Sequence, residues 1–338
     1  MDQDVLVAGE TLIDFIPDRP GPLEDVADFS RRPGGAPANV AVGLARLEHA
    51  PLFWTRLGDD PFGRSLEATL VGAGLSNRFV ERDPDAKTTL AFVTHDADGD
   101  REFTFYRDDT ADTRLEPGRI DDATLESLEW VHAGGVTLAE GSSREATLDL
   151  LERASEAGCT TSFDPNVRSE LWADAETFVR VCRDALASVD VCKATVAELE
   201  RLGIEAESGD DSASAEAVAR ATLEDAGDGS GPHTVFVTRG SEGAVAASSP
   251  PSPWSAPSSD RELRVARHVG IDADVVDTTG AGDAFVAGVI AAAREGQSLE
   301  ATLEFATAVA ATATTDAGAM AALPTRDAVE STLEDPEP

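Results

Sequence analysis

The stretch Asp277-Thr-Thr-Gly-Ala-Gly-Asp-Ala-Phe-Val-Ala-Gly-Val-Ile290 combines a glycine turn, a helix start and a carboxylate, Asp283. The β-branched pair Val275-Val276 reads as a short strand ending at Asp277, where Thr278, Thr279, Gly280 and Gly282 break it. From Ala281 to Arg294 the residues are mostly small and apolar, which predicts a helix beginning near Gly282. The free N–H groups of a helix start, with the positive end of its dipole, suit a phosphate or a developing oxyanion. Asp283, in the first turn, is then placed to accept a proton from a substrate hydroxyl. The same residues also suit a plain cap, with Thr278 or Thr279 closing the helix and Asp283 complementing the dipole. The stretch alone leaves both readings open.

The elements that must carry this turn have a regular rhythm. Val5-Leu-Val-Ala8 reads as a buried strand that residues 9–16 continue, with Asp14 in an apolar setting. A second glycine turn, Gly34-Gly35, opens a helix over 38–47 with Asn39 in its first turn. A strand over 52–55 and a helix over 64–73 follow. Residues 88–95 and 101–107 read as two strands joined by an Asp-Gly turn over 96–100, a small sheet standing off the main domain as a lid. From residue 120, helices over 121–128, 143–157, 174–187, 195–202 and 212–226 alternate with strands over 130–133, 160–163, 189–192 and 234–237. That alternation predicts a mainly parallel sheet covered on both faces, with ligands at the carboxyl ends of its strands. Asp164-Pro-Asn-Val-Arg168, Lys193-Ala-Thr-Val-Ala-Glu198 and Thr238-Arg-Gly-Ser-Glu-Gly243 all fall at strand ends. Residues 205–231 and 248–260 read as loosely ordered, Val275-Val276 as the final strand, and 327–330 as a last helical turn.

At 338 residues and 41% hydrophobic, the chain can fill a globular core. Its 27 Lys and Arg against 64 Asp and Glu leave a net charge of −37. No basic stripe exists to neutralise phosphates, which argues against nucleic-acid binding. Only Lys87 and Lys193 are lysines. The acid residues are dispersed, resembling the surfaces of proteins from extreme halophiles, and salt should relieve their repulsion. Cys159, Cys182 and Cys192 form no CxxC pair, which points to free thiols in a reducing compartment. No charged leader and no apolar run of roughly 20 residues is present, so no membrane association and a cytoplasmic location are expected.

With these motifs in hand, Gly34-Gly-Ala-Pro-Ala-Asn39 and Asp277-Thr-Thr-Gly-Ala-Gly-Asp-Ala-Phe285 resemble the two signatures of the ribokinase-like, or PfkB-type, carbohydrate kinases. Gly9-Glu10 with Asp14, Phe62-Gly63, Phe105-Tyr-Arg107, residues 163–168 with Leu171-Trp172, and Ala322-Leu-Pro-Thr325 follow the same order, so the resemblance covers essentially the whole chain. It implies an α/β three-layer sandwich over 1–9, 34–87 and 110–330, a β lid over 10–33 and 88–109, and an acidic tail over 331–338. It also implies ATP-dependent phosphorylation of a sugar hydroxyl.

By the same resemblance, Asp283 is the base, and the N–H groups of Gly280, Ala281, Gly282 and Asp283 stabilise the transferred phosphoryl group. Asp14, Gly34, Gly35, Asn39, Arg107 and Arg168 match sugar-binding positions. Lys193, Thr238, Gly240, Gly243, Thr307 and Gly318 match nucleotide-binding ones. Glu198 matches the acid that organises Mg2+ through water, and Asp277 and Thr279 match a site for a monovalent cation such as K+. Thr195 and Thr307 stand where Asn is usual, which puts details of magnesium and nucleotide affinity in doubt. Gly9-Glu-Thr-Leu-Ile-Asp14 and residues 101–112 look most like fructokinases. The alternatives are 2-keto-3-deoxygluconate kinases, with Arg107 and Arg168 clamping a carboxylate that Asp14 would repel, then ribokinase or nucleoside kinase, and a catalytically silent sugar sensor. A homodimer through the lid edge is a further expectation.

Overall fold

The computed structural model describes residues 3–19, 21–95, 101–205, 211–226, 230–254 and 262–334. Val5–Ala8 (β1) is apolar throughout and buried, as a strand inside a two-faced sheet must be. The chain then changes sheets, so residues 9–16 do not prolong β1. Polar Glu10 and Thr11 interrupt the apolar run: Gly9 N–H gives a bond to Trp54 O in the large sheet (3.0 Å), and Ile13 N–H gives one to Thr89 O (3.2 Å). Leu12–Pro17 (β2) and Phe29–Gly34 (β3) pair antiparallel there.

Ala36–Arg46 (α1), Leu52–Gly58 (β4), Pro61–Gly72 (α2) and Val80–Asp83 (β5) return to the large sheet. Asp60 caps α2, its Oδ1 accepting from the N–H groups of Phe62 and Gly63 at 2.9 Å each. Leu90–His95 (β6) and Arg101–Tyr106 (β7) complete the small sheet, in the order β3-β2-β6-β7; the Asp-Gly turn expected between them lies outside the described residues. Asp122–Leu125 (α3), Trp130–Gly134 (β8), Ser142–Glu156 (α4), Thr160–Asp164 (β9), Ala175–Leu186 (α5), Val191–Thr195 (β10), Val196–Arg201 (α6), Asp211–Asp225 (α7) and Thr234–Thr238 (β11) alternate as the sequence predicts.

Ala244–Ser248 (β12) and Arg264–His268 (β13) then add two antiparallel strands that the sequence reading did not foresee. Ala281–Arg294 (α8), Leu299–Ala313 (α9), Ala319–Ala322 (α10) and Arg326–Glu334 (α11) close the chain. Helix α11 runs well past 327–330 and takes in the start of the segment expected as a tail. The large sheet has the order β13-β12-β11-β10-β9-β8-β1-β4-β5, parallel from β11 to β5, with helices on both faces. This is the α/β sandwich with a separate smaller sheet.

The expected strand at Val275-Val276 does not form. Both side chains face solvent (60% and 62% exposed), and the N–H groups of Val276 and Asp277 bond to Thr314 O at the end of α9 instead of to a strand. The turn before α8 is therefore anchored by α9. Helix α8 is buried over most of its length and its small residues let neighbours come close: a Cβ on Gly288 would lie 2.7 Å from Ala306 Cα in α9, and one on Gly43 in α1 would lie 2.9 Å from Ala287 Cβ. This packing brings the first turns of α1 and α8 together.

Candidate active site

Gly280 is the N-cap of α8 at φ 80°, and a Cβ there would lie 2.9 Å from that of Ala319, so conformation and space both require glycine. Asp277 braces the turn. Its Oδ1 accepts from Thr279 N–H (2.9 Å) and Thr279 Oγ1 (2.6 Å), and its Oδ2 accepts from Gly318 N–H (2.9 Å). Ala281 N–H turns back to Thr278 O at 3.3 Å, which leaves Gly282 and Asp283 as first-turn donors with no partner inside the helix. Of the four donors expected in the anion cradle, these two lie inside the first turn, behind the N-cap Gly280.

Asp283 sits beside these donors, 8% exposed. Asn39 Nδ2 donates to its Oδ2 at 2.8 Å, and Asn166 Nδ2 lies 3.5 Å from its Oδ1. Burial pushes its pKa up to about 6; the Asn39 bond opposes that, Asp164 adds to it, and Lys193 and Arg168 pull the other way. A carboxylate poised near 6 is ionised at neutral pH and basic enough to take a proton from an alcohol in flight.

Below it lies a buried charge group. Lys193 Nζ is 2.8 Å from Asp164 Oδ2 and would be 3.0 Å from a Cβ on Gly282. Burial works against the lysine's charge, yet Asp164, Glu198 and Asp283 hold its pKa above the ordinary value. Glu198 is similarly held below its own despite burial, by Lys193 and by the N–H groups of Thr195 and Val167. Thr195 forms a capping box with it: Thr195 N–H donates to Glu198 Oε2 (2.9 Å) and Glu198 N–H to Thr195 Oγ1 (3.2 Å). Threonine keeps here the cap that an asparagine would make. Among the described residues no cluster of three or more His, Cys, Asp or Glu could cage a metal. The oxygen groups present instead fit a hard cation that keeps most of its own waters.

A cavity of about 80 Å³ opens over Asp283 and Gly280, walled by Glu10, Asp14, Gly35, Asn39, Asn166 and Arg168 among others. Phe103 and Phe105 of the small sheet cover it. Asp14 Oδ2 would lie only 2.0 Å from a Cβ on Gly34, so that glycine makes room for the carboxylate rather than forming the wall itself. Arg168 lies against the Phe103 ring, 5.1 Å from its centroid. Arg107 departs from expectation: 2% exposed and absent from the cavity wall, it gives Nε to Asp112 Oδ2 at 2.7 Å. Its pKa is held up by Asp112 and Glu10 against burial.

An open cleft of about 670 Å³ lies at the ends of β10 and β11, lined by Thr195, Val196, Ala197, Glu200, Thr238, Gly240 and neighbours. Gly243 is not in that wall; it closes the turn behind it, its O accepting from Arg239 N–H at 2.8 Å. Thr307 is buried in α9 with its hydroxyl returned to Leu303 O (2.8 Å), and Gly318 caps α10 and bonds to Asp277. Neither lines the cleft.

Residues 2–326 match the pfkB family of carbohydrate kinases. The chain belongs to that family. Fructokinase from Vibrio alginolyticus is 34% identical over 329 residues, 95% of this chain and 96% of that protein. Fructokinase with bound ATP from Xylella fastidiosa superposes with a TM-score of 0.79 at 30% identity, covering 100% of each chain. A double mutant of the fructokinase from Vibrio cholerae O395, with fructose, ADP and potassium ion bound, gives 0.73 at 30% identity, covering 98% of this chain and 99% of that one.

As a pfkB carbohydrate kinase the protein transfers a phosphoryl group to an alcohol acceptor. Two polar wall residues of this kinase went unassigned in the sequence reading. Asn166 stands in the Asp164-Pro-Asn motif; at φ 41° it makes a turn held by its N–H to Asp164 Oδ1 (2.9 Å), which leaves its side chain beside Asp283. Glu10 was visible as an acid in an apolar run, the same signal that singled out Asp14. Among the described residues no helix is long and apolar enough to cross a membrane.

Proposed function

We propose that this kinase transfers the γ-phosphoryl group of ATP to a hydroxyl of fructose. One observation carries the reading: Asp283, held by Asn39, stands at the floor of a polar-walled cavity beside the N–H groups of Gly282 and Asp283 that open α8. Asp283 takes the hydroxyl proton as the sugar oxygen bonds to the γ-phosphorus and the bond to the β-phosphate oxygen breaks. The N–H groups of Gly282 and Asp283 stabilise the charge on the phosphoryl oxygens, with Lys193 beneath them. Thr238 and Gly240 line the nucleotide cleft. Mg2+, organised through Glu198 and water, supplies charge neutralisation between the phosphates when bound. A monovalent cation at the Asp277–Thr279 turn would stiffen the same cradle.

The seclusion of Arg107 supports a neutral sugar over a keto acid, since of the two arginines proposed to clamp a carboxylate only Arg168 reaches the cavity, where Asp14 also stands. The test is ATP consumption with magnesium in ~2 M KCl, comparing fructose, 2-keto-3-deoxygluconate, ribose and adenosine. Turnover led by the keto acid would overturn the fructose reading, and no turnover with any acceptor would revive the silent sugar sensor.

The halophile origin belongs to the same proposal, supported by the charge of −37 and by the scarcity of lysine. Activity and thermal midpoint should both rise between dilute buffer and molar KCl; equal stability in dilute buffer would contradict it. A reducing, cytoplasmic setting is supported by three buried free cysteines. The small sheet is read as a lid, and the exposed Tyr106, which packs on Phe92, suits pairing of two copies through it.

A further inference from the structure

Four stretches carry the chain between the two sheets: 9–11, the junction at Gly35, 84–89 and 107–112. Side chains from three of them gather in one buried cluster, and Glu10 ties the fourth to it. Arg107 Nε donates to Asp112 Oδ2 at 2.7 Å, Thr110 Oγ1 donates to Asp112 Oδ1 at 2.8 Å, and Thr89 Oγ1 reaches both Asp112 and Thr110. Glu10 Oε1 accepts from the N–H of Ala36, the first residue of α1, at 3.1 Å.

Two members of this cluster are incompletely paired. Glu10 Oε2 and both terminal nitrogens of Arg107 are buried with no hydrogen-bond partner among the described residues. The nearest carboxylate to Arg107 Nη1 apart from Asp112 is that of Glu140, at 3.6 Å and half in solvent. An unpaired buried carboxyl oxygen and an unpaired guanidinium fork are each costly. The two groups attract one another without touching. Burial pushes the Glu10 carboxyl up to about 8, with Arg107 pulling it down and Asp112 adding to the rise. At neutral pH the Glu10 carboxyl therefore keeps its proton in this setting, and its Oε2 and the Arg107 fork stand at the joint of the two sheets with no bond between them.

We propose that Glu10 and Arg107 are a positioning pair for phosphoryl transfer: they bond to each other when the small sheet closes over the sugar, and that bond sets Asp283 through α1. The path is a chain of contacts. Glu10 holds the N–H of Ala36; Asn39 lies in the same first turn; Asn39 Nδ2 holds Asp283 Oδ2 at 2.8 Å. Closing the joint therefore fixes the base where Asn39 already holds it, and opening it leaves that position less firmly held. The inference rests on the proposed role of Asp283.

A double-mutant cycle tests it on the intact enzyme, with kcat, sugar KM and thermal midpoint read for Glu10→Gln, Arg107→Met, both together, and Arg107→Lys. Gln keeps an acceptor for Ala36 and cannot ionise on meeting Arg107. Each single change should lower kcat about tenfold with sugar KM shifted less than about threefold, and the double variant should be no slower than either. Arg107→Lys should recover part of the loss. Additive losses in kcat, an unchanged kcat, or losses that simply follow the thermal midpoint would each overturn the pair. Should Arg107→Met fail to fold, the cycle of Glu10→Gln with Arg107→Lys carries the same comparison. Wild type and Asp283→Ala run alongside: near-normal turnover in Asp283→Ala would remove the base itself, a failure distinct from that of the pair.

Discussion

The cavity over Asp283 and the cleft at the ends of β10 and β11 are built on opposite plans. The cavity, about 80 Å³, is made by buried side chains drawn from remote parts of the chain, Asn39 and Asp283 among them. The cleft, about 670 Å³, is made by two turns at the ends of adjacent strands, with Thr195 opposite Thr238 in the register and Gly240, Ser241 and Glu242 in solvent. In the first, a charge feels a low dielectric and Asp283 has a fixed partner in Asn39; in the second, water screens and backbone does much of the lining. Substitutions should therefore be severe in the cavity and mild in the cleft.

The largest effect belongs to Asp283→Ala, which should lower kcat on the order of 10³-fold while calorimetric sugar binding stays within a few-fold of wild type. Near-normal turnover would erase the contrast. Asn39→Asp is next. It replaces the donor to Asp283 with a second carboxylate, so the pair should resist double ionisation and the acid limb of kcat/KM, expected near the Asp283 pKa of about 6, should move upward by roughly a unit or more. An unmoved limb would mean that Asp283 does not set the profile.

Stability gives the comparison a sharper edge. Because the folded pKa of Asp283 is raised, its contribution is full below its ordinary 3.8 and is lost as pH rises through about 6. At neutral pH the ionised group is thus a burden, and Asp283→Asn should raise stability by on the order of 1–3 kcal/mol while abolishing turnover. Denaturant melts at pH 7 and pH 4 check it, since the gain should shrink at the lower pH. Thr195→Ala, in the cleft, should raise the KM for ATP by only about threefold, its main loss being a helix cap. A hundredfold rise would place the cleft in the same class as the cavity.

Much of this was legible beforehand because the alternating elements have strong periods and the glycine turns fall at their junctions. What escaped shares a physical cause. Strands β5, β12 and β13 are short and either polar or alanine-rich, so hydrophobic patterning does not mark them. Val275-Val276 carries strand propensity without a partner strand, and the bonds to Thr314 prevail. At the site, Asp283, Asn39 and Arg168 stand in glycine or turn motifs, and the fold brings all three to one cavity wall. Arg107 was assigned to the sugar because its motif is right, but its direction depends on Asp112, five residues on, whose pull a motif does not reveal.

The contact between Gly43 and Ala287 has a consequence for rate as well as packing. Each stands one helical turn beyond a site residue, Gly43 after Asn39 and Ala287 after Asp283. The gap that holds the asparagine against the base is therefore set by a missing methyl group. Adding that methyl would act as a shim, prying the two helices apart at a place outside the cavity wall and loosening the hold of Asn39 on Asp283 from behind.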